Sequence, residues 1–332
     1  MSTSQVTTSE LEPTPVAPAG TLTVAGWHRP LLWLAVGMAA LAAVAIVASL
    51  IDHRQVTGMG LWLKPLKFAL SIGIYAVTLA WLIGQFRDGA RMRRAARLAG
   101  TVAVIGLVIE MIVIVGFAAV GDTSHFNVST GLHAAFWSVM AASIVVVWLM
   151  TLVVSIALFR NPLGDRARTL AIRAGAVLAL VGMGLAFLMT GPTAAQLDDY
   201  QGIVGAHTVG VADGGPGLPL LGWSTVAGDL RIPHFVGMHA LQVLPLVVIL
   251  LELASRRLSF LGSEPVRLRL VRIAVASFTA SLAVVTLQAI SGQSIVQPDG
   301  LVLALGVLVA VGSVGAVLAV LASAARATSS PT

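Results

Sequence analysis

The sequence contains no cysteine, and only 10% of its residues are charged. Without cysteine the chain cannot form a disulfide, a cysteine-ligated zinc site, an iron–sulfur cluster or a catalytic thiol. A soluble domain carries roughly 25% charged residues, so the scarcity of charge excludes a soluble enzyme, a disordered chain and a coiled coil. The sequence also lacks a phosphate-binding glycine loop, a nucleophile elbow and a His-Glu-x-x-His motif, which argues against hydrolase and nucleotide chemistry.

Apolar residues dominate the composition of the chain. They make up 57% of the 332 residues, and the mean hydropathy is +0.94. A helix needs about 20 apolar residues to cross a bilayer. Eight stretches meet this requirement, at 31–51, 63–85, 98–120, 131–159, 172–190, 234–254, 273–291 and 300–323. The sequence therefore predicts an all-α polytopic membrane helix bundle of about eight transmembrane helices, with one membrane domain over 28–323 that contacts the lipid bilayer.

Basic residues are distributed unequally between the two ends of these spans. Sixteen of the 20 Lys and Arg residues fall at one end, in the loops 86–97, 160–173 and 255–272 and beside the first and last spans. We call this the arginine-rich end. Arginines in short loops are typical of membrane orientation rather than of nucleic-acid binding, and the positive-inside rule predicts that this end and both termini are cytoplasmic. Residues 1–27, rich in Ser, Thr and Pro, are expected to form a disordered cytoplasmic tail, and 324–332 a second, short one.

Histidines and aspartates gather at the opposite end, which we call the histidine-rich end: the loops 52–62, 121–130, 191–233 and 291–299 and the span ends beside them. Four of these histidines are candidate metal ligands: His125, His133, His234 and His239. Neutral imidazole binds haem iron, copper and zinc. Residues five apart do not share a helical face, so His234 and His239 would need ligands from other spans. The alternatives are a proton relay, or histidines that anchor span ends at the membrane interface.

Glu110 lies in the middle of the third span. Inserting a carboxylate there costs at least about 2.5 kcal/mol, so we expect it to face the bundle and have a partner. Lys67 is the candidate, as an ion pair or proton relay with Glu110 or as the contact of an acidic ligand. Lys64 is expected to extend to the headgroups instead, and Pro65 to kink or interrupt the second span.

The long loop 191–233 is rich in Gly, Pro and Asp, and idle loops of that length are uncommon. We expect it to fold over the bundle as a lid. The lid residues singled out by their polarity are Asp198, Asp199, Trp223, Asp229 and Arg231. Gln242 and Gln288 lie at the same level and are expected to orient a ligand.

Four blocks, GLWLKPLKF (60–68), SHFN (124–127), PHFVGMHALQ (233–242) and QAISGQSIVQPD (288–299), resemble recurrent blocks of uncharacterised multi-pass membrane proteins of high-GC bacteria. The resemblance covers most of residues 58–300. It implies that these blocks belong together, and it implies no reaction.

The leading hypothesis is a protein of the bacterial plasma membrane whose polar cavity opens outward and binds a divalent metal, haem b or a quinone-like redox ligand. The residues expected nearest that ligand are His133, His234, His239, Gln242 and Gln288. One alternative is a transporter of a small solute, coupled to protons through Glu110 and Lys67. Two further alternatives are an enzyme that modifies lipids of the outer leaflet and a structural membrane partner.

Overall fold

The structure, a computed structural model, describes residues 24–86 and 91–329. The predicted N-terminal tail lies largely outside the described residues. The α-helices within the described residues are α1 (Arg29–Ile51), α2 (Leu63–Gly84), α3 (Arg91–Val120), α4 (Gly131–Phe159), α5 (Arg166–Leu185), α6 (Ala194–Asp198), α7 (Arg231–Met238), α8 (Ala240–Ala254), α9 (Glu264–Ile290) and α10 (Gly300–Ser329).

Eight helical segments are long and apolar enough to cross a membrane, counted over the described residues. Six of them are single helices. The fifth segment, Arg166–Asp198, runs from α5 through a short 3-10 helix to α6, and the sixth, Arg231–Ala254, combines α7 and α8. The prediction of an all-α membrane bundle with eight spans is confirmed. The last helix reaches Ser329, beyond residue 324, where the C-terminal tail was expected to begin.

Side-chain caps and prolines explain where several helices begin. Thr130 caps α4 by accepting a hydrogen bond from the backbone N–H of His133, and Asp165 caps α5 in the same way through Arg168. Such caps satisfy N–H groups that have no partner within the helix. Pro65 lies in the first turn of α2, where a missing N–H costs little, so α2 forms from Leu63 to Gly84. The expected break of the second span at Pro65 was wrong.

The helices pack in two groups, and the largest cluster of buried residues joins the first group to α5 and α8 of the second. The first group pairs α1 with α2 and α3 with α4, and in the second α5 packs against α7, α8 and α9. Gly182 of α5 faces Gly237 of α7 so closely that a Cβ added to Gly182 would meet the Gly237 backbone at 2.3 Å. At the periphery, α10 packs mainly against α9 and is the least buried of the eight spans.

The loop 191–233 contains α6 and two short strands, β3 (Thr208–Val209) and β4 (Gly228–Asp229), which pair in antiparallel register. Backbone hydrogen bonds join it to neighbouring loops. Val204 N–H donates to Phe126 O (2.8 Å), and Gly228 N–H donates to Gly292 O (2.8 Å). A second strand pair, β1 (Gln55–Val56) and β2 (Met59–Gly60), lies between α1 and α2. The loops of the histidine-rich end therefore form one connected layer over the spans.

Candidate functional site at the histidine-rich end

Glu110 is the innermost acid of the site. It lies ten residues before the end of α3 at Val120, which is about 15 Å along a helix, and it is 2% exposed. Its Oε1 lies 3.5 Å from Nε2 of His125. Its Oε2 is buried and has no hydrogen-bond partner among the described residues. Buried polar atoms without a partner are rare in folded proteins, so this oxygen makes Glu110 a candidate site residue.

His125 reaches Glu110 because the chain turns back into the bundle after α3. Gly121 ends that helix at φ +80°, a conformation that glycine adopts without strain. Nδ1 of His125 lies 3.1 Å from Nζ of Lys64 and 3.2 Å from Oγ of Ser124. A lysine ammonium only donates, so Nδ1 accepts. We therefore assign the imidazole proton to Nε2, which faces Glu110.

Burial lowers the pKa of His125 well below its usual value, and the charges of Lys64 and His207 act in the same direction. The folded protein therefore holds a neutral imidazole between an ammonium and a carboxyl group. The three side chains form a continuous series across the interior, which we call the Lys64–His125–Glu110 series.

Aromatic rings enclose His125. The ring centroids of Phe68, Trp137 and Phe126 lie 5.6, 5.4 and 6.1 Å from that of the imidazole. The ring of Phe126 also lies 4.9 Å from that of His207. Where little water is present, polar contacts are stronger and unpaired polar groups are more costly. The energy of the series therefore depends strongly on which of its three side chains carry protons.

His207 and Asp213 form a second polar pair within the loop 191–233. Nδ1 of His207 lies 2.6 Å from Oδ2 of Asp213, and the Thr208 hydroxyl donates to the same carboxylate. Burial alone would raise the pKa of Asp213, but the hydrogen bonds from His207 and Thr208 hold it well below its usual range. Burial lowers the pKa of His207 despite this contact. In this pair the carboxylate of Asp213 accepts hydrogen bonds from the His207 ring and the Thr208 hydroxyl.

A third polar group fixes the loop to the start of α7. Asp229 is 1% exposed and accepts from the guanidinium of Arg231 and from the backbone of Ser224. Arg231 also donates to Gly222 O (2.6 Å). Lys67 donates to Leu221 O (2.9 Å). These bonds attach two neighbouring loop residues to α2 and α7.

The lysine that belongs with Glu110 is Lys64 rather than Lys67. Lys64 contacts His125 and interacts electrostatically with Glu110. The pairing of Lys67 with Glu110 expected from the sequence was wrong, because Lys67 bonds to the backbone of Leu221 in the loop 191–233. The expectation that Lys64 extends to the headgroups was also wrong, because its ammonium contacts Nδ1 of His125 in the loop 121–130.

The four predicted metal ligands are dispersed. His133 contacts Asp122 (2.9 Å) and Thr130 (2.6 Å), and Nδ1 of His234 contacts Gly182 O (2.9 Å). Nδ1 of His239 lies 3.2 Å from Oε1 of Gln242, and that of His125 contacts Lys64. Throughout residues 24–86 and 91–329, no three His, Asp or Glu side chains are grouped as a metal ion requires. The prediction of a shared metal centre on these histidines is therefore not supported, because separate protein groups hold each ring.

The remaining predicted residues divide between structural and exposed positions. Gln288 is buried and donates to Ser294 O (2.8 Å), which holds the turn after α9. The Trp223 ring lies 6.2 Å from that of Phe235, beside the Asp229–Arg231 pair. Asp198 and Asp199 are exposed, and Asp199 accepts from Gln201. Of the predicted lid residues, only the last three in the chain therefore gather near α7.

The structure adds Asp213 and the aromatic neighbours of His125 to the site. Phe126 belongs to the block SHFN, so this block was the sequence feature that could have pointed to Phe126 as a site residue. Asp213 stands in a turn-rich run, and nothing in the sequence pairs it with His207. No family model, no curated protein and no solved structure matches the chain.

Proposed function

We propose that the histidine-rich end faces outward and binds a small ligand, of the quinone-like class, that exchanges a proton with Glu110 through His125. One observation carries the proposal: a buried carboxyl group with an unpartnered oxygen lies 3.5 Å from a histidine whose other nitrogen contacts a lysine. Ionisable groups within membrane spans are costly and mark proton relays and ligand sites.

The Lys64–His125–Glu110 series can move a proton without charging the imidazole. His125 passes its Nε2 proton to Glu110 and takes one at Nδ1 from the Lys64 ammonium. The products are a neutral carboxylic acid, the other imidazole tautomer and a neutral amine. The amine then takes a proton from a hydroxyl of the reduced, quinol form of the ligand, or from water at the histidine-rich end, and this restores the ammonium. An ion pair is thereby exchanged for two neutral groups, which reduces the cost of burying charge.

The ligand class is inferred from the side chains around His125. A quinone-like molecule is flat, accepts hydrogen bonds at its carbonyl oxygens and takes up protons when it is reduced. Lysine ammoniums supply donors here, and aromatic rings surround His125. Among the described residues no three His, Asp or Glu side chains are grouped, which favours this class over a metal ion.

Infrared difference spectroscopy tests the proton exchange directly. We expect purified protein to show a protonated carboxyl stretch that appears on acidification and is absent from Glu110→Gln. Glu264→Gln, which removes a half-exposed acid at the arginine-rich end, should retain the band. A Glu110→Gln spectrum identical to that of the unmodified protein would overturn the proposal.

Ligand binding has its own readout. Trp137 lies against His125, so a short-chain quinone analogue should quench its fluorescence in a saturable way that Trp137→Phe removes. Trp33→Phe is the matched control, because that ring is 74% exposed on α1. Quenching that never saturates, or that both variants retain equally, would contradict binding at this site.

Proton-coupled transport is the second candidate, and the interrupted spans favour it. The sixth span has an irregular turn at His239, between α7 and α8, where the backbone keeps right-handed helical torsion angles, and the fifth span passes into a 3-10 helix at Ala186. Transporters place broken helices at their binding sites. Proteoliposomes with an internal pH dye should then show proton flux under an imposed potential that Glu110→Gln abolishes. Flux equal to that of empty liposomes would reject transport and leave ligand binding in place.

A further inference from the structure

Two adjoining grooves lie at the arginine-rich end, between α5 and α9, remote from the proposed ligand site. The smaller, of about 210 Å³, is lined by Arg166, Glu264, Arg269 and Arg272 among others. The larger, of about 580 Å³, shares Arg166 and continues along both helices. Together they extend from the loops into the hydrophobic part of the bundle.

The outer part of this groove is positively charged. Arg269 and Arg272 are exposed and three residues apart, so they project from the same side of α9. Within the described residues neither makes a recorded hydrogen bond or ion pair. The Arg166 side chain is 75% exposed and reaches Glu264, an acid of the groove lining, at 3.6 Å. Three guanidinium groups therefore face one carboxylate.

The inner part of the groove is mostly apolar. On α5 it is lined by Leu170, Ala174 and Val177, and on α9 by Val275 and Thr279. Arg173 also lines it, and its guanidinium donates to Phe159 O (2.8 Å). These positions recur every three or four residues, so each set occupies one helical face. From Arg166 to Leu178 the groove follows α5 for twelve residues, or about 18 Å. That length matches half of a hydrocarbon core about 30 Å thick.

We infer that this groove binds an anionic phospholipid of the leaflet at the arginine-rich end. The phosphate lies against Arg269, Arg272 and Arg166, and one acyl chain lies along the apolar faces of α5 and α9. The groove follows the order in which a phospholipid presents its parts: a cluster of cations at the membrane surface is followed by a mostly apolar channel one leaflet deep. Basic pockets between spans are known to bind acidic headgroups.

Native mass spectrometry of the full-length protein, titrated with phosphatidylglycerol and separately with phosphatidylcholine, tests this inference. We expect phosphatidylglycerol to bind preferentially. The double variant R269Q/R272Q should lose about 30-fold in its affinity, as expected for two basic residues at a membrane surface. The matched control is R256Q/R257Q, which removes two exposed arginines at the same end but outside the groove. Equal losses in both variants, or none in R269Q/R272Q, would overturn the inference.

The acyl chain is tested separately. Thr279→Trp introduces a large ring at an exposed position of the apolar groove, so the helix can still pack. It should weaken phosphatidylglycerol binding while leaving the weak binding of glycerol phosphate, the headgroup alone, unchanged. Phosphatidylglycerol binding that Thr279→Trp leaves intact, or that glycerol phosphate matches, would show that no chain occupies the groove.

Discussion

At the scale of single residues, the buried acids Asp229 and Glu110 each have a specific partner. Asp229 has its guanidinium partner two residues away, whereas Glu110 depends on a histidine from the following loop. Removing one partner of a buried pair leaves an uncompensated charge. The Asp229 pair is fully bonded and therefore suits a structural role, while the partly bonded Glu110 can change its protonation.

The histidine-rich loops predict that the protein loses stability in weak acid. Burial lowers the pKa of both His207 and His125, whereas an unfolded histidine binds a proton near pH 6.5. As the pH falls below about 6.5, the unfolded chain binds more protons than the folded one, so the free energy of unfolding decreases. Asp213, whose pKa is held below its usual range, contributes stability across this window and loses it only in stronger acid.

Thermal unfolding in detergent between about pH 8 and about pH 5 measures this effect. His207→Gln should flatten the dependence of the melting temperature on pH. His53→Gln, at an exposed histidine, should retain it. A His207→Gln slope as steep as that of the unmodified protein would contradict the assignment.

Sequence reasoning identified Glu110 and failed to identify its partner, for a physical reason. An acid within an apolar run is visible from composition alone, because burial of its charge is costly. Lys64 and Lys67 are three residues apart and share one helical face, so only the path of the loops decides which lysine reaches inward. That path depends on Gly121 and on backbone bonds to the loop 191–233, which join residues far apart in the chain.

At the scale of elements, Gly182 and Gly237 allow the backbones of α5 and α7 to pack without an intervening side chain. A Cβ on Gly182 would meet the Met238 backbone N at 2.2 Å. Gly182→Ala should therefore force the helices apart and cost about 1–3 kcal/mol, as overpacking does. It should also disturb His234, which bonds to the Gly182 carbonyl.

The matched control is Gly184→Ala in the same helix, where an added Cβ meets nothing within 4 Å. It should be neutral or slightly stabilising, because alanine favours helix more than glycine does. Melting temperatures of the two variants provide the comparison. Equal values would show that the α5–α7 contact tolerates separation.

The span pattern was the part of the fold that the sequence predicted best, since hydrophobic length alone sets which segments cross a bilayer. The irregular turn at His239 was not foreseen, although local signals for it were present. Pro245 cannot donate to the carbonyl of Leu241 and disfavours a regular helix in the preceding turn. Gly237, two residues before His239, packs against α5.

At the scale of the whole molecule, the two ends of the helix bundle differ. Loops with titratable side chains form a layer at the histidine-rich end, and arginines cluster at the arginine-rich end. The grooves between α5 and α9 extend that asymmetry, because they place guanidinium groups at the arginine-rich end of the spans. Both proposals, ligand exchange at one end and lipid binding at the other, therefore require a single fixed orientation in the membrane.

The absence of cysteine makes this orientation directly measurable, because single-cysteine variants carry no background thiol. Gln297→Cys lies at an exposed position of the histidine-rich end and Ser263→Cys at one of the arginine-rich end. In intact bacterial cells, a membrane-impermeant maleimide should label Gln297→Cys alone, since the positive-inside rule places the arginines in the cytoplasm. Ser263→Cys should react only after the membrane is opened. The reverse pattern would turn the Lys64–His125–Glu110 series towards the cytoplasm, and the ligand would then have to come from inside the cell.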